Sequence, residues 1–329
     1  MMIRRSAQRT AGTNRPPDAL ISAVTLVRRV CDLASLPCLI DDARDELRRA
    51  GVAEAIRRHD DAKLFEWLLD AISYQGISDA IAQRYMDEHG RVRHADVVSA
   101  LDTPPQCPKL ESWWHFEGCG YRKWANHCSE PKLIRSCPLP SHDLRNGNLN
   151  QAAFSLALFM RDVADGDVVT WIDDRLARAE CGPQSARGAR LAASVIEPMR
   201  HVYGVSDKVL NMSLATLFMG GDAKRERWIN AGANMIAVDS LVHHWLVRTG
   251  ILRGLRASHV YGEQCYAENG CAAIIAQISK RIDARKYNPD FPRYFPRFIQ
   301  HTLWRFWATD SKCRHRALGP AVFEFSRPA

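Results

Sequence analysis

The sequence predicts a mostly α-helical protein. Many windows carry apolar residues at positions i, i+3 and i+4, few windows alternate with the period of a strand, and 46% of the 329 residues are hydrophobic. A chain of this length can bury a full hydrophobic core, either as one large domain or as two smaller ones. No stretch reaches the roughly 18 uninterrupted apolar residues that a membrane span requires, so we expect core helices and no membrane partner.

Each helix is predicted from its own apolar spacing and its boundary residues. The first begins at Asp18, which is a suitable N-cap, and the run from Lys63 to Ile72 places its apolar side chains on one face. The predicted helices span 18–33, 42–57, 63–72, 78–89, 94–101, 151–164, 168–179, 186–201, 208–219, 231–249 with an interruption near Asp239, and 271–286. The C-terminal stretch 293–307 is aromatic and basic.

The chain is basic, with a formal net charge of +8 and a pI of about 9.0, which favours polyanionic partners such as nucleic acid. Residues 1–17 are basic and polar and lack the apolar core of a secretory signal. We therefore expect a disordered basic tail and an intracellular location, in the cytoplasm or the nucleoid. Ten cysteines without a secretion signal argue against a disulfide framework and for a metal site or buried free thiols.

The segment 104–150 breaks the helical pattern with clustered prolines and a polar run. It contains four cysteines: Cys107, Cys119, Cys128 and Cys137. Four thiolates within about thirty residues can close a tetrahedral zinc site or hold an iron–sulfur cluster, and the spacing does not decide between them. Unconnected thiols are the alternative. Cys265 and Cys271 flank a second polar loop and could pair, bind a metal or do neither.

The stretch VYGVSDKVLNMSLATLF, residues 202–218, places Lys208 at the start of an apolar helix. A cation is unfavourable there, because the helix dipole is already positive at that end. The residues before it predict a helix, a tight turn at Tyr203-Gly-Val-Ser, and a second helix capped by Ser206. Such a turn points backbone N–H groups outward, where they can hold a DNA phosphate.

This stretch resembles the helix-hairpin-helix signature of the endonuclease III and 8-oxoguanine glycosylase superfamily (HhH-GPD) of DNA repair enzymes. In that family a hairpin of the form Pro-Gly-Val-Gly-x-Lys precedes an apolar helix and, later, a catalytic Asp in a Val-Asp pair. Here the matching residues run from Tyr203 to Lys208, followed by Val238 and Asp239. The resemblance covers 63–102 and 192–251. This chain departs from the pattern in four places: Tyr203 for proline, Ser206 for the second glycine, an insertion after Gly220, and Leu241 for the usual histidine.

The resemblance implies two helical subdomains around a cleft, one formed by 63–251 with the Cys-rich insertion and the other by 18–62 and 252–329. It implies a base-excision DNA glycosylase with AP lyase activity, acting as a monomer on duplex DNA that carries a lesion or an abasic site. Lys208 would be the Schiff-base nucleophile and Asp239 the carboxylate that stabilises positive charge on the sugar. The implied DNA-binding residues are Gln75, Gly204, Val205, Ser206 and Arg248.

Three other readings stay open on the sequence alone. A monofunctional glycosylase would use Asp239 to activate water and Lys208 only to contact phosphate. A catalytically silent protein would use the hairpin only to bind DNA. A metal-dependent regulatory or nuclease partner would work through the cysteine segment. Without any such role, Lys208 is a solvated surface residue and Asp239 a helix N-cap.

Overall fold

The structure is a computed structural model that describes residues 17–34, 37–74, 77–102, 107–141 and 149–308. Within these ranges the chain is mostly helical and forms no strand, which confirms the predicted α class. None of the helices among the described residues is long and apolar enough to cross a membrane. The predicted basic tail lies outside the described residues, except for Pro17, which begins the first helix.

The described residues form sixteen α-helices, in chain order. They are α1 (Pro17–Ala34), α2 (Leu39–Arg49), α3 (Val52–Arg58), α4 (Asp61–Ser73), α5 (Asp79–His89), α6 (His94–Asp102), α7 (Trp113–Phe116), α8 (Leu149–Leu158), α9 (Val168–Arg178), α10 (Arg187–Met199), α11 (Asp207–Gly220), α12 (Glu226–Asn234), α13 (Ser240–Arg248), α14 (Ile251–Gly254), α15 (Cys271–Ser279) and α16 (Pro296–Ala308).

Local chemistry explains where these helices begin and end. The carboxylate of Asp60 accepts the N–H of Lys63 at 3.0 Å and caps α4. The predicted helix 42–57 is instead two helices, α2 and α3, because the chain turns at Gly51, the N-cap of α3, with a φ of 76°. The predicted helix 151–164 is α8 followed by a wider π-helical turn, Phe159–Val163.

The described part of the cysteine segment, residues 107–141, is irregular as predicted, with α7 and short 3₁₀ turns at Pro108–Leu110, Lys123–Ala125, Pro131–Leu133 and Leu139–Ser141. Two buried amides at the start of α8 hold it. Asn150 Nδ2 donates to the carbonyl of Leu139 at 2.7 Å, and Gln151 Nε2 donates to the carbonyl of Tyr121 at 2.6 Å. The segment is therefore anchored to the helical core at two points.

The chain divides into two compact units. Unit 1 contains the described residues 17–34, 240–282 and 302–308, and unit 2 contains those from 37 to 239 and from 283 to 301. The sequence predicted the boundaries between the two subdomains after residue 62 and after residue 251. The observed boundaries differ because α2 packs on α11 and α3 on α4, which assigns them to unit 2, while α13 packs on α14 in unit 1.

The core of unit 2 around the sequence-predicted site is formed by α10, α11 and α12. Apolar side chains of α11 are buried along most of the helix, and the ring of Phe218 packs on that of Trp228 at 4.8 Å between centroids. The indole N–H of Trp228 is satisfied by the carboxylate of Asp173 at 2.6 Å. This packing holds α11 rigidly behind the turn that precedes it.

Candidate active site and metal-binding residues

A tight turn joins α10 to α11 in unit 2, as the sequence predicted. The N–H of Val205 donates to the carbonyl of Val202 at 3.4 Å and closes the turn. Gly204 occupies its third position with a φ of 74°, which a type II turn requires and glycine adopts most easily. Ser206 is extended and its hydroxyl accepts the N–H of Val209 at 3.5 Å, so it is the N-cap of α11.

The turn presents unused backbone donors to solvent. Gly204 and Ser206 are exposed, and within the described part of the chain their N–H groups have no hydrogen-bond acceptor. Both groups lie at the positive end of the α11 dipole. Exposed N–H donors at a helix N-terminus are an arrangement that binds phosphate or carboxylate groups.

Tyr203, at the position where the helix-hairpin-helix signature has proline, has a structural role that proline could not supply. Its backbone N–H donates to the hydroxyl of Ser155, a buried residue of α8, at 3.0 Å. Proline has no N–H to donate. The Tyr203 ring also meets Phe116 edge to face, with centroids 6.3 Å apart. The turn is therefore attached to α8 and to the cysteine segment.

Lys208 is the second residue of α11 and is half-buried. Among the described residues, no carboxylate oxygen lies within 4.0 Å of its ammonium group. The neighbouring Asp207 is instead paired with Arg200 across the turn, at 2.6 Å between Nε and Oδ1. Lys208 is thus left without the ion pair that would neutralise it or hold it in place.

Asp239 lies directly before α13 and is half-buried. The four residues before it, Met235 to Val238, are buried. They fix the path of the chain between α12 and α13 through apolar contacts. Asp239 is therefore held by the core on one side, and it forms no ion pair with Lys208.

A cleft of about 680 Å³ opens beside the turn. One wall consists of residues 200–206 and the other of Trp113, Trp114, Phe116 and Glu117 from the cysteine segment, with Ser155 between them. The side chain of Trp114 is 68% exposed. Lys208 itself does not line this cleft, although it follows the wall-forming Ser206 by two residues. Volumes of this size accept small molecules or single bases.

The four cysteines of the cysteine segment lie close enough together to affect one another electrostatically. Burial raises the pKa of Cys119, and the neighbouring Cys128 and Cys107 raise it further. Burial and the other three thiols raise the pKa of Cys137 to about 11. The metal site predicted at Cys107, Cys119, Cys128 and Cys137 stays a prediction.

A different group of ligands converges in unit 1. Ligand atoms of His243, His259, Cys265 and Cys271 all lie within 4.8 Å of one another, and these residues could hold a metal ion. The Sγ of Cys271 lies 3.4 Å from Nδ1 of His243 and 3.3 Å from Nε2 of His259. The Sγ of Cys265 lies 3.6 Å from Nδ1 of His243. Three of the four are buried, and His259 is half-buried.

Burial shifts the pKa of two members of this group, His243 and Cys271. Burial lowers the pKa of His243, and the adjacent His259 and His244 add to the effect. Burial also raises the pKa of Cys271 far above its ordinary value, and Cys265 adds to it. Without a metal, burial therefore favours the neutral imidazole of His243 and the thiol of Cys271.

Of the two remaining predicted DNA-binding residues, one lies outside the described residues and the other belongs to unit 1. Gln75 lies outside the described residues; the preceding Tyr74 lines a separate cleft of about 1500 Å³ formed by α2, α4 and α5. Arg248 belongs to unit 1, where its guanidinium stacks over the ring of Trp307 at 5.4 Å from the centroid. Gly204, Val205 and Ser206 line the same cleft.

Comparisons of the chain with family models, with curated proteins and with solved structures found no match.

Proposed function

We propose that the protein binds DNA through the α10–α11 turn and excises a base with Lys208 as nucleophile, as a glycosylase with AP lyase activity. The observation that carries the proposal is the coincidence of two features within five residues. The turn offers the unused N–H donors of Gly204 and Ser206, and Lys208 follows them as a half-buried amine without a carboxylate partner.

The turn supplies phosphate binding. Two exposed N–H groups at the start of α11 can donate to the oxygens of one DNA phosphate, and the helix dipole favours the negative charge. Backbone donors that bind phosphate do not distinguish one base from another, so this contact positions the duplex without selecting its sequence. The net charge of +8 adds a general attraction for DNA that weakens as salt rises.

The amine of Lys208 supplies the covalent chemistry. In its neutral form Nζ attacks C1′ of the target nucleotide, and the bond between C1′ and the base breaks, so the base leaves with the electron pair and takes up a proton. Opening of the sugar ring gives a Schiff base. Removal of a C2′ proton then expels the 3′ phosphate by β-elimination, and water hydrolyses the Schiff base to restore the lysine. The carboxylate of Asp239 stabilises the positive charge that develops at C1′.

The cleft beside the turn supports the same function. Chemistry at C1′ requires a base to leave the stack, and exposed aromatic side chains stabilise unstacked bases. Trp114 projects from the wall opposite the turn and is largely exposed. A strand held at the turn would therefore run beside an aromatic surface that can stack a displaced or orphaned base.

Borohydride trapping on a duplex with a single abasic site tests the proposal. Borohydride reduces a Schiff base to a stable amine, so wild-type protein should form a covalent adduct with the DNA. Lys208→Ala should form none. Lys224→Ala is the matched control, because Lys224 is an exposed lysine just beyond α11 and should trap like the wild type.

The other outcomes separate the competing functions. Wild-type protein that binds the duplex but forms no adduct contradicts the lysine nucleophile. Base release from a lesion panel without strand scission would then identify a monofunctional glycosylase that depends on Asp239, and Asp239→Asn should abolish it. Salt-sensitive binding with no base release from any lesion would identify a silent DNA-binding protein.

A further inference from the structure

We propose that His243, His259, Cys265 and Cys271 form a structural zinc site in unit 1. The four residues come from three elements: His243 from the first turn of α13, His259 from the chain after α14, and the two cysteines from the ends of a short loop before α15. In the sequence they read H-x15-H-x5-C-x5-C. The proposal is independent of the proposed function.

The distances match a single tetrahedral ion. With Zn–S bonds of about 2.3 Å and Zn–N bonds of about 2.05 Å, a tetrahedral angle separates a nitrogen from a sulfur ligand by about 3.6 Å. Three of the four nitrogen–sulfur distances in this cluster are 3.3, 3.4 and 3.6 Å, and all four ligand atoms lie within 4.8 Å of one another. The ligand atoms therefore already stand near the corners that one zinc ion requires.

The combination of two cysteines and two histidines favours a zinc ion over an iron–sulfur cluster. Two thiolates and two imidazoles are among the standard sets of structural zinc sites, and a tetrahedral S₂N₂ geometry is typical of zinc. A two-iron cluster with the same ligands holds its histidines on one iron and its cysteines on the other, which separates nitrogen from sulfur further than a mononuclear site does. The close approach of each histidine to a cysteine argues against that arrangement.

Hydrogen bonding alone accounts for only two of the three short nitrogen–sulfur contacts, because the cluster has two S–H hydrogens to share among them. Both sulfurs approach Nδ1 of His243, which has one lone pair in the ring plane and can accept one S–H. The Sγ of Cys271 also faces two nitrogens but has a single hydrogen to donate. One ion at the centre uses a lone pair from each of the four residues at once.

A hydrogen bond to a backbone carbonyl orients the imidazole of His259 for metal binding. Its Nδ1 lies 2.7 Å from the carbonyl oxygen of Ala257, which can only accept, so Nδ1 carries the hydrogen and Nε2 presents its lone pair toward Cys271. Metal-binding histidines are commonly held by such a bond to a carbonyl. With two cysteines and His243 buried, the site has four protein ligands and no open position, which is the mark of a structural ion and not of a catalytic one.

Metal analysis of the purified full-length protein tests the site, with Cys271→Ser as the main variant. Wild-type protein should carry zinc, and Cys271→Ser should carry one ion fewer per chain. His244→Asn is the matched control, since His244 is the exposed neighbour of His243 on α13 and should keep the full zinc content. Any metal bound at the cysteine segment is unchanged by either substitution, so the difference reports this site alone.

A second measurement uses the wild-type protein, so its result does not depend on whether the Cys271→Ser variant folds. A strong chelator should lower the melting temperature of the wild-type protein, and cobalt(II) should then restore it with the absorption of a tetrahedral thiolate complex. A serine hydroxyl can still donate a hydrogen bond to either histidine. Cys271→Ser with unchanged zinc content, or a wild-type melting temperature that no chelator lowers, would show a hydrogen-bonded cluster without metal and overturn the proposal.

Discussion

The backbone of Gly270 packs so closely on the carbonyl group of Cys265 that a β-carbon at position 270 would overlap it. The loop from Cys265 to Cys271 folds back on its own start, and the N–H of Gly270 donates to the carbonyl of Ala267 at 2.8 Å. This close approach brings the two thiols to the same side of the loop. The residue before Cys271 is therefore a glycine for steric reasons.

Substitution of this glycine should loosen the loop. We expect Gly270→Ala to reduce the free energy of unfolding by about 1–3 kcal/mol, the usual cost of forcing an atom into a packed region. Zinc content should fall with it, because the two sulfurs move apart. Thermal unfolding and metal analysis measure both effects. Glu268→Ala, an exposed change in the same loop, should alter neither; a Gly270→Ala protein with wild-type stability would contradict the steric argument.

The exposed Trp114 should contribute to DNA affinity if the cleft beside the turn binds nucleic acid. Loss of one stacked base costs about 1–3 kcal/mol of binding free energy, so Trp114→Ala should weaken binding to a duplex with an abasic site by that amount. Fluorescence anisotropy at fixed salt measures it.

Trp124 offers a matched control for this measurement. It lies in the same cysteine segment and is 76% exposed, but it does not line the cleft. Trp124→Ala should therefore bind DNA like the wild type. An equal loss of affinity in both variants would show that the effect comes from general disturbance of the segment.

A cluster of charges links α10 to α12 and should stabilise unit 2. Arg187 is largely buried and pairs with Glu180 at 2.5 Å and with Glu226 at 2.6 Å. Hydrogen bonds between charged groups stabilise the folded protein more when one group is largely buried than when both are exposed. Arg187→Ala should therefore lower the free energy of unfolding by about 1–3 kcal/mol. Urea unfolding monitored by circular dichroism measures the loss.

The exposed pair between Arg178 and Asp174, at 3.6 Å, provides the comparison. Surface pairs of this kind contribute about 0–1 kcal/mol, because water and salt screen them. Arg178→Ala should therefore be nearly neutral under the same conditions. Equal effects of the two substitutions would show that burial of Arg187 adds nothing to its ion pairs.

Features set by neighbouring residues could be predicted from the sequence. Ser206 as a cap, the turn at Gly204 and the start of α13 after Asp239 all follow from local backbone chemistry. The single helix predicted over 42–57 was wrong, because apolar spacing continues through Gly51 while its backbone does not stay helical. Gly51 was the residue in the sequence that could have indicated this break between α2 and α3.

The cluster of His243, His259, Cys265 and Cys271 in unit 1 could not be predicted in the same way. His243 and His259 are separated by fifteen residues with a helix between them, and no period or cap relates them. Their approach depends on how α13, α14 and the following loop pack together. From the sequence, Cys265 and Cys271 were identifiable only as a pair that could form a disulfide, bind a metal or do neither. No sequence pattern identified the two histidines as ligands.

The stability of unit 2 should depend on the ionisation of Asp61. Burial raises the pKa of Asp61 to about 6, although its carboxylate accepts the N–H of Val168 at 3.1 Å, and the charge of Asp167 raises the pKa further. In the unfolded chain the pKa of aspartate is about 3.9. Between these values the folded protein holds a proton that the unfolded chain has lost, so stability falls as pH rises from about 4 to about 6 and stays low above it.

Asp61→Asn should remove this penalty. An asparagine carbonyl can still accept the N–H of Val168, and it carries no charge to desolvate. We expect the variant to be more stable than the wild type at pH 7.5, on the order of 1 kcal/mol once solvent screening of a half-exposed side chain is allowed for. The advantage should shrink as pH falls toward 4.5. Urea unfolding of both proteins at pH 4.5, 6 and 7.5 measures it, and an advantage that does not change with pH would exclude ionisation of Asp61 as the cause.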